Sequence, residues 1–222
     1  MKQKVAYYLD DLIKRYPILS ACKKSIEEAF SELKKCFSSG NKLLIAGNGG
    51  SYADAEHIAG ELMKEFKIKR SHSSSFINKI NNIDKEKGNV MLQKIQPGFP
   101  TIVLGNHQGL TTAFLNDISD GGLYVFSQQM YVYGKANDVF LAISTSGKSK
   151  NILNACIVAR ALGIKIISLT GETGGDLDKI SDVCIKAPRN ETFLIQELHL
   201  PIYHCLCLML EEEFFGNNNF LN

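Results

Sequence analysis

The run Val139-Phe140-Leu141-Ala142-Ile143 has no polar break and opens at once into Ser144-Thr145-Ser146-Gly147-Lys148-Ser149. A short stretch apolar on both faces suits a strand buried within a parallel sheet. Lys42-Leu43-Leu44-Ile45-Ala46 repeats the pattern, running into Gly47-Asn48-Gly49-Gly50-Ser51 and then a helical stretch from Tyr52 to about Phe66. Further strand candidates lie at 101–104, 165–169 and 183–186, with helical patterns near 109–116, 122–133, 149–162 and 192–214. This alternation predicts an α/β fold, a parallel sheet covered by helices on both faces. Ligands of such sheets bind beyond the carboxyl ends of the strands, where both polar turns fall.

Before the first strand, Val5, Leu9, Leu12, Ile13 and Tyr16 recur at helical spacing up to Pro17. Cys22, Ile26, Ala29, Phe30, Leu33 and Phe37 mark a second amphipathic helix, closed by Gly40. Residues 1–40 therefore read as a helical hairpin. It carries more apolar surface than one flank of a small sheet needs, so it is expected to pack between subunits. Residues 68–96 differ: they hold Ser71-His72-Ser73-Ser74-Ser75, Asn81-Asn82 and Asp84-Lys85-Glu86-Lys87-Gly88, and interrupt the alternation. A connection of that length is an insertion or a lid.

A chain of 222 residues, 45% hydrophobic, suffices for one domain with a full core. A net charge of +2 gives no electrostatic case for nucleic acid. Lys64, Lys67, Lys69 and Arg70 cluster without interleaved aromatic rings and read as a solvated surface. No apolar run approaches the length of a membrane span, and Met1-Lys2-Gln3-Lys4 does not lead into a signal-peptide core. The six cysteines (Cys22, Cys36, Cys156, Cys184, Cys205, Cys207) form no C-x-x-C pair, and most sit in apolar surroundings. Free buried thiols in a reducing cytoplasm are the expectation.

The hydroxyl-rich turn suits a phosphate. Backbone N–H groups and the dipole at a helix N-terminus favour an anion, and hydroxyls add hydrogen bonds. An ordinary helix cap needs one hydroxyl, not four. The glycine turn lets backbone approach a ligand closely, but matches neither G-x-G-x-x-G nor a Walker A loop. On the helix after it, His57 and Glu61 stand i,i+4 on one face. Imidazole and carboxylate beside a phosphate site can serve acid–base catalysis or metal ligation, or form a plain ion pair. The last helix offers Gln196, Glu197, His199 and His204. Pro201 between them removes a helical hydrogen bond and is expected to kink the helix at the Glu197 carbonyl. His199 reads as a packing or supporting histidine, and His72 and His107 as structural.

Asn48-Gly49-Gly50-Ser51, His57-x-x-x-Glu61, Asn116-Asp117, Ser144-Thr145-Ser146-Gly147-x-Ser149 and Gln196-Glu197-x-His199 with His204 together resemble sugar isomerase (SIS) domains, and within them the phosphoheptose isomerase branch. The likeness covers nearly the whole chain apart from 68–96. It implies a three-layer αβα sandwich with a five-stranded, flavodoxin-like parallel sheet, assembled as a homotetramer with sites between subunits. It also implies that Ser144, Thr145, Ser146 and Ser149 hold the phosphate, that Asn48, Gly49, Gly50, Ser51, Asn116, Asp117 and Gln196 contact the sugar, and that Glu61 and His204 form the acid–base pair. Some members bind zinc through His, Glu, Gln and His, here His57, Glu61, Gln196 and His204. The implied activity is cytoplasmic isomerisation of D-sedoheptulose 7-phosphate to D-glycero-D-manno-heptose 7-phosphate for bacterial lipopolysaccharide or capsule. Two rivals stand beside it: a non-catalytic module that binds a sugar phosphate or a replication initiator, and an isomerase of another sugar phosphate. Many relatives have Gly-Arg where this chain has Lys64-Glu65, so an arginine facing the phosphate from that turn is missing.

Overall fold

The structure, a computed structural model, describes residues 2–216. Helices α1 (Gln3–Arg15) and α2 (Lys23–Ser38) flank a 3-10 turn at Pro17–Cys22. Strand β1 (Leu43–Ala46) leads into α3 (Gly50–Met63). Two short helices, α4 (Ser74–Ile83) and α5 (Lys85–Leu92), precede β2 (Thr101–Val103), α6 (Gln108–Asp117) and α7 (Val125–Tyr133). Then follow β3 (Val139–Ile143), α8 (Lys150–Ala161), β4 (Lys165–Gly171), α9 (Leu177–Ile180), β5 (Val183–Ala187) and the long α10 (Thr192–Phe215).

All strand pairs are parallel, in the order β2-β1-β3-β4-β5. The sheet has five strands, and each predicted strand is present within two residues of its expected bounds. Strand side chains alternate between faces, and the core divides accordingly. Leu43, Ile45, Val139 and Leu141 face α1, α2, α3 and α10, while Leu44, Ala46, Phe140 and Ala142 face α7 and α8. The chain reversal between β1 and its neighbours β2 and β3 leaves the β1–α3 and β3–α8 turns side by side at one end of the sheet.

Three details of the packing bear on the expectations. Residues 68–96, expected as an insertion or a lid, are partly helical. They contain α4, capped by Ser73 accepting from the Phe76 N–H at 3.2 Å, and α5, capped by Asp84 accepting from the Lys87 N–H at 2.9 Å. Part of the apolar stripe of the N-terminal helices is used within the chain. Val5, Leu9 and Leu12 are fully buried within the chain, α1 packing along α10. Finally, α10 is long and apolar enough by composition to cross a membrane, but most of it forms the core between α1, α2, α3 and the sheet.

At the β5 edge, the Cys22 thiol donates to the Lys186 carbonyl at 3.0 Å, and Lys186 Nζ pairs with Asp178 at 2.6 Å. All six cysteines are free, five of them buried. Burial pushes Cys22 up to about 11, and Cys36, Cys156 and Cys205 up to about 12.

Candidate active site

The Ser144–Ser149 turn is a closed loop at the N-terminus of α8. Ser144 and Ser149 hydroxyls lie 2.9 Å apart, and the Ser146 hydroxyl accepts from the Lys148 N–H at 3.2 Å. Ser149 sits at the cap position of α8 without capping it, its hydroxyl being turned to Ser144 instead. Gly147 takes φ +64°, and a Cβ there would stand 2.0 Å from the Gly174 carbonyl oxygen. The Gly147 carbonyl in turn accepts from the N–H groups of Asp176 and Leu177, which anchors the turn on α9. A cleft beside the turn is lined by Thr145, Ser146 and two cations, Lys148 and Arg189. Arg189, distant in sequence, was not among the predicted residues. The carboxylate of Glu172 lines the same cleft.

The two turns are joined by a residue that sequence reasoning missed. Asn151, in the first turn of α8, exchanges two amide hydrogen bonds with Asn48, at 3.0 and 2.9 Å. An Asn one turn into a helix is unremarkable in sequence, and its partner lies on another strand–helix unit. Asn116 and Asp117, by contrast, are exposed at the end of α6 and bond each other at 2.8 Å, with no recorded bond to either turn.

Helix α3 begins at the glycine turn and carries His57 and Glu61 on one face, opposite α10. His57 Nε2 lies 3.3 Å from Glu61 Oε1 and 3.3 Å from His204 Nε2. Thus His57 stands between Glu61, on its own helix, and His204, from the far end of the sequence. Helix α10 is continuous through Pro201 and carries both Gln196 and His204. Gln196 reaches the start of α3: a Cβ on Gly50 would lie 2.5 Å from its Nε2, so only glycine admits the amide there. Burial, then the neighbouring His57, hold His204 below the usual histidine range, with Glu61 opposing. Among the described residues Glu61 Oε2 is buried without a hydrogen-bond partner, the nearest cation being Lys64 Nζ at 3.9 Å.

His199 is fully buried, one ring nitrogen 3.1 Å from the Thr170 carbonyl, and burial lowers it to about 4. It is a packing residue, as expected. His72 and His107 are also structural. His107 Nδ1 caps α6 by accepting from the Leu110 N–H, and His72 contacts the Ile95 carbonyl.

Arg70 overturns the reading of a solvated basic surface. Its side chain is 1% exposed and Glu211, on α10, is 0% exposed. Arg70 donates to Glu211 at 2.9 and 3.0 Å, to the Leu62 carbonyl at 2.8 Å and to the Glu61 carbonyl at 3.1 Å. Glu211 also accepts from the N–H groups of Phe66, Lys67 and Ile68 at 2.7–2.9 Å. The clamp fixes the end of α3 directly beneath Glu61. It also holds Phe66, whose ring lies 5.3 Å from that of His204.

The chain is a parallel αβα sandwich with a hydroxyl-lined turn at the N-terminus of α8, and the SIS domain model matches residues 96–171. The chain is 38% identical to the phosphoheptose isomerase of Aneurinibacillus thermoaerophilus over 192 residues, 86% of this chain and 83% of that protein. It is 39% identical to phosphoheptose isomerase 2 of Campylobacter jejuni, over 86% of this chain and 81% of that protein. The solved phosphoheptose isomerase of Francisella tularensis superposes with a TM-score of 0.72 at 29% identity, covering 96% of this chain and all of that one. The chain belongs to the phosphoheptose isomerase family, and its activity is that of a sugar-phosphate isomerase.

Proposed function

We propose that this protein interconverts D-sedoheptulose 7-phosphate and D-glycero-D-manno-heptose 7-phosphate, with Glu61 and His204 moving the protons. The observation that carries the reading is the meeting of Glu61, His57 and His204 near 3.3 Å in a chain of this family. Aldose–ketose exchange moves a proton from C1 to C2 through an enediol, while the C2 carbonyl oxygen gains a proton and the C1 hydroxyl gives one up. A carboxylate with one buried oxygen that lacks a hydrogen-bond partner suits the C–H step. The His204 imidazole, held below the usual histidine range by burial, can shuttle the oxygen-bound proton. The phosphate end would rest on Ser144, Thr145, Ser146 and Ser149, with Lys148 and Arg189 beside it. Asn48, Gly49, Gly50, Ser51 and Gln196 would line the sugar, while Asn116 and Asp117 would need a further subunit or a shift of α6 to reach it.

The same residues fit a zinc ion. Among the described residues no set of three or more His, Cys, Asp or Glu closes round a single point. Yet donors spaced at 3.3 Å match the edge of a tetrahedron with bonds of about 2.0–2.1 Å, roughly 3.3 Å, and Glu61 Oε2 is an orphaned acceptor. His57, Glu61 and His204 would hold the ion, with Gln196 as the weaker fourth ligand. When bound, zinc would polarise the carbonyl as a Lewis acid. A homotetramer is part of the same proposal. Phe193 and Leu200, exposed on the helix that carries Gln196 and His204, leave the site side of α10 bare in the isolated chain. Surface-polysaccharide synthesis in the cytoplasm is the setting this activity implies.

The test is an isomerase assay on sedoheptulose 7-phosphate and a panel of shorter ketose phosphates, with and without added zinc, on wild type and Glu61→Gln. The proposal expects turnover greatest on the seven-carbon substrate and lost in the variant. Preference for another ketose would redirect the substrate assignment, and an inactive wild type would favour the binding-module rival.

A further inference from the structure

Asn48 sits in the glycine turn and Asn151 in the first turn of α8, and their side chains meet across the gap between the two strand–helix units. Asn151 Nδ2 donates to Asn48 Oδ1 at 2.9 Å, and Asn48 Nδ2 donates to Asn151 Oδ1 at 3.0 Å. The orientation of the pair is fixed from one side. Asn151 Oδ1 also accepts from the Ile152 N–H at 3.0 Å, a bond its amide nitrogen could not accept, so both amides are set. Among the described residues these are the only recorded side-chain hydrogen bonds tying Gly47–Ser51 to another element. A Cβ on Gly49 would meet nothing within 4 Å, so packing does not hold that side of the turn. Each amide spends one of its two Nδ2 hydrogens in the pair. Asn48 can therefore grip Asn151 and still donate to a ligand oxygen.

We propose that Asn151 is a positioning residue for the isomerisation: it holds Asn48, and with it the glycine turn, at a fixed distance from the phosphate turn. Neighbouring strands stand about 4.8 Å apart, but the turns beyond their ends can splay. The clasp removes that freedom where β1 and β3 lead into α3 and α8. A substrate anchored by its phosphate on Ser144–Ser149 presents its carbon chain correctly only if the residue that contacts the chain keeps a constant offset from that anchor. A misplacement of about 1 Å can cost about 100-fold in rate. This role rests on the function proposed above, and the clasp itself does not.

The experiment compares wild type with Asn151→Ala and with Asn151→Leu, which fills the space of the amide without its hydrogen bonds. Both variants should melt within about 2 °C of wild type, because the pair is exposed to water. On sedoheptulose 7-phosphate, kcat should fall about 10-fold or more, and calorimetric affinity for that ester about 10-fold. Inorganic phosphate reads the hydroxyl turn alone, and its inhibition constant should stay within about 2-fold. In an Asn48→Ala background, adding Asn151→Ala should cost less than a further 2-fold, since the clasp is already gone. Phosphate inhibition weakened as much as turnover would overturn the proposal, by making Asn151 a local support of the phosphate turn. Effects that multiply in the double variant would overturn it too, as would unchanged kinetics in both single variants. If wild type binds the sugar phosphate without isomerising it, the functional reading fails. The loss of sugar-phosphate affinity against constant phosphate affinity, then measured by calorimetry, still decides whether Asn151 positions the glycine turn. A wild type that binds neither overturns both.

Discussion

Replacing Glu211 by Gln keeps nearly the same volume and removes one charge from the interior. The loss is large because of what Glu211 holds. Three backbone N–H groups at 2.7–2.9 Å and two Arg70 nitrogens converge on its two oxygens. Gln keeps one acceptor oxygen and turns the other position into a donor facing donors. Arg70, 1% exposed, then keeps its charge with only neutral carbonyl partners. Breaking a buried pair by removing one partner costs about 3–5 kcal/mol. For a chain of this length, about 2–4 °C of melting temperature accompany each kcal/mol, so Glu211→Gln should lower Tm by roughly 6–20 °C. Thermal unfolding followed by circular dichroism, at one protein concentration, reads this directly. Lys67→Ala and Lys69→Ala, on exposed neighbours, provide the contrast and should stay within about 0.5 kcal/mol. A Glu211→Gln melting temperature within about 2 °C of wild type would refute the clamp as an energetic feature.

Glu61→Gln should fold normally and lose about 100-fold or more in kcat, measured by conversion of sedoheptulose 7-phosphate. Full turnover in that variant would remove Glu61 from the chemistry. Gly147→Ala places a Cβ 2.0 Å from a backbone oxygen at φ +64°, so the phosphate turn must shift. KM should rise about 10-fold or more, and an unchanged KM would detach that turn from substrate binding. His199 titrates near 4 when folded against 6.5 in the ordinary state, so its proton is taken up first by the unfolded chain. Its contribution is constant above pH 6.5 and is lost as pH falls toward 4, by at most about 3 kcal/mol. Urea midpoints at pH 7.5 and 5.0 should show it, and His199→Gln should flatten the difference.

The strands were legible because each is a short apolar run ended by a polar turn, a pattern that needs no knowledge of distant residues. His57 and Glu61 were legible as a pair for the same local reason, their i,i+4 spacing. That Gln196 and His204 belong with the glycine turn came from the family resemblance, since Pro201 made the facing of α10 indeterminate from periodicity. Arg70 was misread because nothing local distinguishes it from Lys64, Lys67 and Lys69. Its partner Glu211 lies 141 residues away, and only the packing of α10 against the end of α3 takes it inside. The Asn48–Asn151 clasp, 103 residues apart, was hidden likewise. In 68–96 the apolar residues Phe76, Ile77, Ile80 and Ile83 do follow helical spacing, but Ser and Asn around them masked it.

The sheet ends on β2 and β5, and its borders restrict how copies of this chain can meet. Strand β2 is three residues long, too little to template an added strand. On β5, Cys22 occupies the Lys186 carbonyl, and a lysine stands on the border strand itself. Edge-to-edge growth, the usual route from a parallel sheet to a fibril, finds little purchase at either border. Association must therefore run through helical surfaces, where contact is made by side chains and can be specific to one geometry.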